Sequence, residues 1–254
     1  MTSTNSEGKP PEQSEEKPPE QSSEPSKLEY QILDETYQKY DLTFKIIVVG
    51  DSGVGKSCLT MKGTKNHYEE SYSPTVGFEF FTLNIRIMDK NIKLQIWDTC
   101  GQEAYRSLIT SFYRNSSLAI LVYSIDNQNS YSNIESWLNE IKSQANPEIK
   151  IFLIGNKKDL EDQRQIDTDD AKLFSKEHGF NYFFETSAKT GFNAQAVFVR
   201  AAKELYMTHL EYKDRSTRPG SLANTQNPNQ NDMNMNNFVL DDEEDKPRKK
   251  KGCC

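Results

Sequence analysis

Short apolar runs alternate with amphipathic stretches through the central part of this chain. The apolar runs predict strands at 43–49, 78–87, 92–97, 118–124, 149–154 and 181–185. The amphipathic stretches predict helices at 56–63, 103–113, 131–145, 168–178 and 193–212. This alternation is typical of an α/β domain with a mostly parallel six-stranded sheet flanked by helices. Because only the turn 88–91 joins the second and third strands, we expect those two strands to form an antiparallel hairpin at one edge.

The two ends of the chain have a different composition. An octapeptide rich in Pro, Glu, Gln and Ser at 9–16 recurs almost unchanged at 17–24, and neither copy has an apolar residue to bury. Residues 216–240 are rich in Asn, Gln and Met. Such segments do not form a packed core, so we expect both to be disordered. The predicted organisation is a disordered tail at 1–40, a folded domain at 41–212 and a variable tail at 213–254.

Charge and cysteine content exclude several classes of protein. The formal net charge of −7 comes largely from 1–40 and the middle of the chain is nearly neutral, so the global charge says little about partners. We expect no nucleic-acid partner. Cys58, Cys100, Cys253 and Cys254 show neither metal-ligand nor disulfide spacing. The N-terminus does not read as a secretory signal, and no apolar run approaches the roughly 20 residues that span a bilayer. We therefore expect a soluble protein of a reducing compartment.

Residues 50–57 read Gly-Asp-Ser-Gly-Val-Gly-Lys-Ser and follow the first predicted strand. A strand that leads into G-x-x-x-x-G-K-S predicts a phosphate-binding loop, in which backbone N–H groups and a helix N-terminus hold a polyphosphate. Lys56 would reach the β- and γ-phosphates, and the Ser57 hydroxyl would bind Mg²⁺. The alternative is a chance glycine-rich turn. The residues expected to contact the nucleotide here are Ser52, Gly53, Val54, Gly55, Lys56, Ser57 and Cys58.

Further positions fit the phosphate end of a nucleotide site. Asp98 follows the third predicted strand and suits a second contact to Mg²⁺, while Gly101 can offer its N–H to a γ-phosphate. Gln102 is placed to orient a water for attack on that phosphate. The Thr75 hydroxyl would complete the Mg²⁺ coordination only while a γ-phosphate is present, so its loop would relax after hydrolysis.

The residues after the last two predicted strands favour guanine over adenine. Asp159, in the motif 156–159, can accept hydrogen bonds from N1–H and the 2-amino group of guanine, whereas adenine leaves the carboxylate unpaired. Asn156 can donate to N7 of the base, and the stem of Lys157 can cover one ring face. A tight loop after the last strand can present a backbone N–H to guanine O6. The residues expected in that loop are Ser187, Ala188 and Lys189.

Together these motifs resemble those of the Ras-like small GTPases over 43–212, and the two tails show no such resemblance. Within that superfamily the chain is most similar to the Rab family. The Rab-like stretches are 76–80, 93–97, 105–110 and 121–123. The resemblance implies a small-GTPase G domain that acts as a monomer, binds GTP or GDP with Mg²⁺ and hydrolyses GTP slowly. It also implies that Tyr68 takes the place of the usual Phe that lies edge-on to the guanine.

The resemblance further implies partners and a location. The C-terminal Cys253 and Cys254, which follow a glycine, match the Rab ending that carries two geranylgeranyl groups. Two lipid chains give stable anchoring, and the basic cluster at 246–251 adds attraction to an anionic leaflet, which the acidic run 241–245 partly opposes. The implied partners are an exchange factor, a GTPase-activating protein, a dissociation inhibitor or escort protein, and effectors. The implied place of action is the cytoplasmic face of endomembranes, in vesicle transport, with cycling through the cytosol.

One departure from the family pattern bears on function. Cys100 stands beside Gly101 where the family usually has Ala, and a displacement of about 1 Å near the chemistry can cost about 10²-fold in rate. A second function therefore stays open, that of a GTP-binding membrane scaffold that hydrolyses almost nothing. A third, an ATP-dependent kinase, is disfavoured by Asp159. The apolar residues expected to contact effectors, unless they pack in the core, are Phe78, Phe80, Trp97 and Tyr113.

Overall fold

The computed structural model describes residues 28–70, 75, 77–101 and 112–217. The chain divides after Tyr212 into two units, and only residues 213–217 of the second are described. Most of the helix predicted at 103–113 and the segments 1–27 and 218–254 lie outside the described residues, so those expectations stay predictions. None of the helices within the described ranges is long and apolar enough to cross a membrane.

The sheet in the described part of the chain has seven strands. They are β1 (Tyr30–Ile32), β2 (Leu42–Val49), β3 (Phe78–Ile87), β4 (Lys90–Thr99), β5 (Leu118–Ser124), β6 (Lys150–Asn156) and β7 (Tyr182–Glu185). Their order across the sheet is β1-β3-β4-β2-β5-β6-β7. The pairs β1/β3 and β3/β4 are antiparallel, and the other neighbours are parallel. The predicted hairpin is confirmed, but β1 rather than β3 is the edge strand on that side. The carboxyl ends of β2 and β4–β7 therefore lie at one edge, where such sheets bind ligands.

Helices cover both faces of the sheet. They are α1 (Lys56–Lys65), α2 (Gln128–Ser132), α3 (Ile134–Gln144), α4 (Thr168–Glu177) and α5 (Ala194–Thr217), with a short 3₁₀ helix at Lys158–Gln163. Alternate residues of β2 enter two separate core clusters. Ile46 packs in the cluster that includes Phe198 of α5, and Ile47 packs in the cluster that includes Trp137 of α3. Burial on both faces explains why the second half of this strand, residues 46–49, is continuously apolar rather than alternating.

The helix predicted at 131–145 is two helices. The Asn127 side chain accepts a hydrogen bond from the Ser130 N–H at 3.1 Å and so starts α2 earlier than predicted. Asn133 ends α2 and begins α3. The last helix also differs from its prediction, because α5 continues to Thr217.

The added strand β1 corrects the assignment of 28–40 to a disordered tail, and it raises the strand count above the predicted six. Leu28 and Ile32 pack against the first core cluster. The buried side-chain amide of Asn84 lies 3.0–3.4 Å from three carbonyl oxygens within 34–37 and so holds the turn that follows β1. A strand of three residues is too short to show a hydrophobic pattern that can be recognised from sequence. Its stability comes from pairing with β3, which is distant along the chain.

Candidate functional site

The phosphate loop 50–55 leaves the end of β2 and enters α1. Gly55 has a φ of 90°, and a Cβ at this position would lie 2.6 Å from Nδ2 of Asn156, so glycine is required here. The same Nδ2 donates a hydrogen bond to the Val54 carbonyl at 2.9 Å. Asn156, predicted from its sequence motif to bind the base, therefore also supports the phosphate loop.

The Lys56 ammonium lies inside this loop and contacts its backbone. It is buried, and its Nζ donates to the carbonyl oxygens of Gly50 at 2.9 Å and Asp51 at 2.8 Å. Burial lowers the pKa of Lys56, and the nearby Asp98 carboxylate opposes part of that effect. A positive charge is thus held against the backbone of the loop that would bind phosphates.

The three predicted metal ligands lie together. Oγ of Ser57 is 2.7 Å from Oγ1 of Thr75, and Ser57 also donates a hydrogen bond to Oδ2 of Asp98. Among the described residues, Oδ1 of Asp98 is buried without a hydrogen-bond partner, and burial raises the pKa of Asp98 to about 7. Two hydroxyl oxygens beside an under-coordinated carboxylate fit Mg²⁺, which prefers oxygen ligands. A cation held by these residues would supply charge to neutralise phosphate oxygens.

The segment after β4 passes close to the phosphate loop. A Cβ on Gly101 would lie 2.3 Å from the carbonyl carbon of Asp51 and 2.4 Å from the amide nitrogen of Ser52, so a side chain there would force the backbone apart. Cys100 is buried, and its N–H donates to the Gly77 carbonyl at 3.0 Å. Gln102, the predicted catalytic residue, lies outside the described residues.

The two predicted base-binding loops contact each other. Oδ1 of Asp159 accepts a hydrogen bond from the Ser187 hydroxyl at 2.5 Å, and the Thr186 hydroxyl donates to Oδ1 of Asn156 at 3.0 Å. Ala188 is buried beside them. The carboxylate that would recognise guanine is therefore held in place by a neighbouring hydroxyl.

The remaining predicted contacts surround these loops. Lys157 has a φ of 65°, the left-handed conformation, which sets the direction in which its stem leaves the loop. Tyr68 and Cys58 pack against the first core cluster, and burial raises the pKa of both groups. Nζ of Lys189 lies 3.4 Å from a carboxylate oxygen of Glu70 at the surface.

Glu185, which the motif analysis did not single out, joins the two base-binding loops. Its side chain is only 6% exposed and accepts hydrogen bonds from Lys158, from Arg164 at 2.7 Å and from Thr168 at 2.8 Å. Burial alone would raise the pKa of Glu185, but these donors outweigh it and hold the pKa below its usual value. The signal in the sequence is a carboxylate at the end of an apolar strand, since such a group requires cationic partners when it is buried.

An aromatic surface begins at Phe78, shortly after Thr75 in the chain. Phe78 and Phe80 are 48% and 47% exposed, with their ring centroids 5.2 and 5.0 Å from that of Trp97. Phe112 lies 4.7 Å from Phe78 and 5.1 Å from Trp97. The prediction that Tyr113 belongs to this surface is wrong, because Tyr113 is fully buried in the second core cluster. Its neighbour Phe112 takes that place.

Comparison with known proteins agrees with this geometry. The sequence matches the Ras family over residues 45–207. It is 38% identical over 217 residues to the Ras-related protein Rab-11A of Dictyostelium discoideum, an alignment that covers 85% of this chain and 97% of that protein. Both matches include the phosphate loop and the base-binding loops, which the fold brings to one edge of the sheet. The chain therefore belongs to the Ras family of small GTPases and is Rab-like within it.

Proposed function

We propose that this GTPase is a membrane-anchored molecular switch that regulates vesicle-mediated intracellular transport. The observation that carries the proposal is the meeting of separate loops at one edge of the sheet. The phosphate loop follows β2, Asp98 lies near the end of β4, and the loops that carry Asp159 and Ser187 follow β6 and β7. Such an arrangement suits a nucleotide whose phosphates and base are recognised at opposite ends.

Each group at the phosphate end has a defined task in this proposal. Lys56 binds the β- and γ-phosphates, while Ser57, Thr75 and Asp98 hold the Mg²⁺ that accompanies them. Gln102 orients the attacking water. The chemistry needs little more than positioning and charge, so a slow intrinsic rate is expected until a GTPase-activating protein supplies a further cation.

Effectors would detect the state of the nucleotide through the position of Thr75 and through the aromatic surface that follows it in the chain. A γ-phosphate stabilises the arrangement in which Thr75 stays at the metal, and its loss releases that segment. Phe78 and Phe80 lie a few residues after Thr75 in the chain and are exposed. An effector that binds these rings only in the ordered arrangement gains affinity by population shift.

A second candidate function rests on Cys100. Its buried side chain replaces the usual Ala immediately before Gly101, whose backbone already lies against Asp51 and Ser52 without room for a Cβ. A larger group at this point would displace the segment that carries Gln102. The alternative is therefore a hydrolysis-deficient GTP-binding membrane scaffold.

Single-turnover GTP hydrolysis separates the switch from the scaffold. We expect slow but measurable hydrolysis by the natural chain, and a rise of up to about 10²-fold in Cys100→Ala, because removing the thiol relieves crowding near the reacting phosphate. Cys100→Ser keeps nearly the original volume and should stay close to the natural rate. A rate that is undetectable in all three proteins would support the scaffold.

Membrane attachment is proposed through Cys253 and Cys254, with an exchange factor, a dissociation inhibitor or escort protein and effectors as further partners. The basic cluster at 246–251 precedes the two cysteines. Each lipid chain contributes roughly 0.8 kcal/mol per buried methylene, and two chains are needed for stable anchoring. The expected location is the cytoplasmic face of endomembranes, in exchange with the cytosol.

Substitution of these cysteines gives a graded prediction. Cys253→Ser combined with Cys254→Ser should leave the tagged protein entirely in the soluble fraction of cells, whereas either single change should give weak, reversible membrane binding. Fractionation and live-cell imaging measure both outcomes. Membrane association of the double variant at the natural level would refute lipid anchoring at these positions.

A further inference from the structure

The carboxylate of Asp51, the second residue of the phosphate loop, is bound by a helix far away in sequence. Its Oδ2 accepts a hydrogen bond from Nδ2 of Asn133 at 2.7 Å, and its Oδ1 accepts one from Nε1 of Trp137 at 2.8 Å. Both oxygens are therefore engaged, at distances typical of hydrogen bonds to a charged acceptor. The phosphate loop and α3 are joined through a single side chain.

The donors on α3 are fixed in position. Trp137 is 1% exposed and lies within the second core cluster, so its ring cannot move without disturbing the packing of the sheet. Asn133 is the residue at which α3 begins. The helix thus presents two N–H donors at a defined place beside the loop.

The backbone of Asp51 lies where three parts of the site meet. Its carbonyl oxygen accepts from Nζ of Lys56 at 2.8 Å. On the other side, the peptide between Asp51 and Ser52 lies against Gly101, where an added Cβ would be 2.3–2.5 Å from its atoms. The position of this one peptide therefore sets both the shape of the phosphate loop and its distance from the segment after β4.

We propose that Asp51 is a positioning residue. Its tether to α3, which consists of the hydrogen bonds from Asn133 and Trp137, holds the phosphate loop in the conformation that binds the nucleotide. The inference rests on the nucleotide site proposed above. A loop with glycines at 50, 53 and 55 has many conformations, and an untethered loop would lose conformational entropy on binding phosphates. The tether stabilises one of these conformations before the ligand arrives.

The opposite prediction follows if Asp51 acts only through its charge. A carboxylate near a polyphosphate repels it, so removing the charge would strengthen nucleotide binding. Removing the tether would instead weaken nucleotide binding. The sign of the change in the Asp51→Ala variant therefore distinguishes the two roles.

The test is the dissociation rate of a fluorescent GDP, measured with Mg²⁺ and excess unlabelled GDP. We expect Asp51→Ala to release the nucleotide about tenfold faster, since two hydrogen bonds to a charged acceptor are lost. Trp137→Phe, which removes only one donor, should have a smaller effect. In the Asp51→Ala background Trp137→Phe should add nothing, because both changes remove the same interaction.

Matched variants keep the test decisive. Glu135→Gln alters an exposed carboxylate on α3 outside the tether and should leave the rate unchanged. Asp51→Asn, which retains one acceptor oxygen, should fall between the natural chain and Asp51→Ala. If Asp51→Ala does not fold, Asp51→Asn and Asn133→Ala replace it, and both should accelerate release.

Two results would overturn the proposed role of the tether. One is slower or unchanged release from the Asp51 variants, and the other is full additivity between the Asp51 and Trp137 substitutions. Failure of the proposed nucleotide site itself would look different, because the natural chain would then bind no fluorescent GDP.

Discussion

Asp159→Asn is expected to lower the affinity for GDP and GTP by about 10³-fold or more. The reason is that binding weakens strongly when a buried hydrogen-bonding group of the ligand or the site is left without a partner. Guanine offers N1–H and an amino group, which a carboxylate accepts as a bidentate pair. An Asn side chain offers one acceptor and one donor, so its amide N–H would face the amino group of guanine and leave both groups unsatisfied. Competition titrations against fluorescent GDP measure the loss.

The hydrogen bond from Ser187 should preserve the loop conformation in Asp159→Asn, so a loss of affinity can be assigned to the base contact. Because Oδ1 of Asp159 accepts from the Ser187 hydroxyl, the Asn oxygen can retain that hydrogen bond and the loop should stay folded. A xanthine nucleotide carries a carbonyl in place of the amino group and should bind the variant better than GDP does. Asp162→Asn, an exposed change in the same 3₁₀ helix, serves as the control. An unchanged preference for GDP in Asp159→Asn would contradict the assignment of the base site.

Glu185→Gln is expected to destabilise the folded chain by about 3 kcal/mol, because it leaves the Arg164 guanidinium without its buried charged partner. Glu161→Gln is the matched control. Glu161 pairs with the same arginine at 2.7 Å, but its side chain is 58% exposed, so its loss should have little effect. Urea unfolding with saturating GDP and Mg²⁺ measures both, since a bound ligand must be held constant across variants.

The Glu185 effect should depend on pH in a defined direction. The pKa of Glu185 is below its usual value of 4.5 in the folded state, so its contribution to stability is complete well above that value. The contribution is lost as the pH falls through the folded-state pKa. The difference in unfolding free energy between the natural chain and Glu185→Gln should therefore be full near pH 7 and shrink below about pH 4.5. A difference that stays constant across this range would show that the charge is not its source.

Local pattern predicted most of the fold and the convergence of most of the candidate site residues. The strand from Leu42 to Val49 ends in four consecutive apolar residues beside a glycine-rich turn, and both signals are contained within a few neighbouring residues. The same holds for Asp98, Asn156 and Asp159, each of which lies at or just beyond the end of a recognisable strand. Since parallel strands end at one edge, the order of strands and motifs along the chain was enough to predict that these residues converge.

Other features depended on neighbours that the sequence does not identify. Phe112 and Tyr113 are adjacent aromatic residues, and only the packing of the second core cluster decides that Tyr113 is buried and Phe112 joins the exposed rings. The strand β1 was missed for a similar reason, because three residues become a strand only by pairing with the edge of β3.

The sequence by itself determined the fold class and the positions of the loops proposed to bind the nucleotide, because each depends on short motifs and on strand direction. The tertiary structure alone decided the contacts between distant residues. Asp51 meets Trp137, Glu185 meets Arg164, and Asn84 meets the turn after β1. The physical reason is that these groups hydrogen-bond only when they lie about 3 Å apart, so the contacts are specified by folded position rather than by separation along the chain.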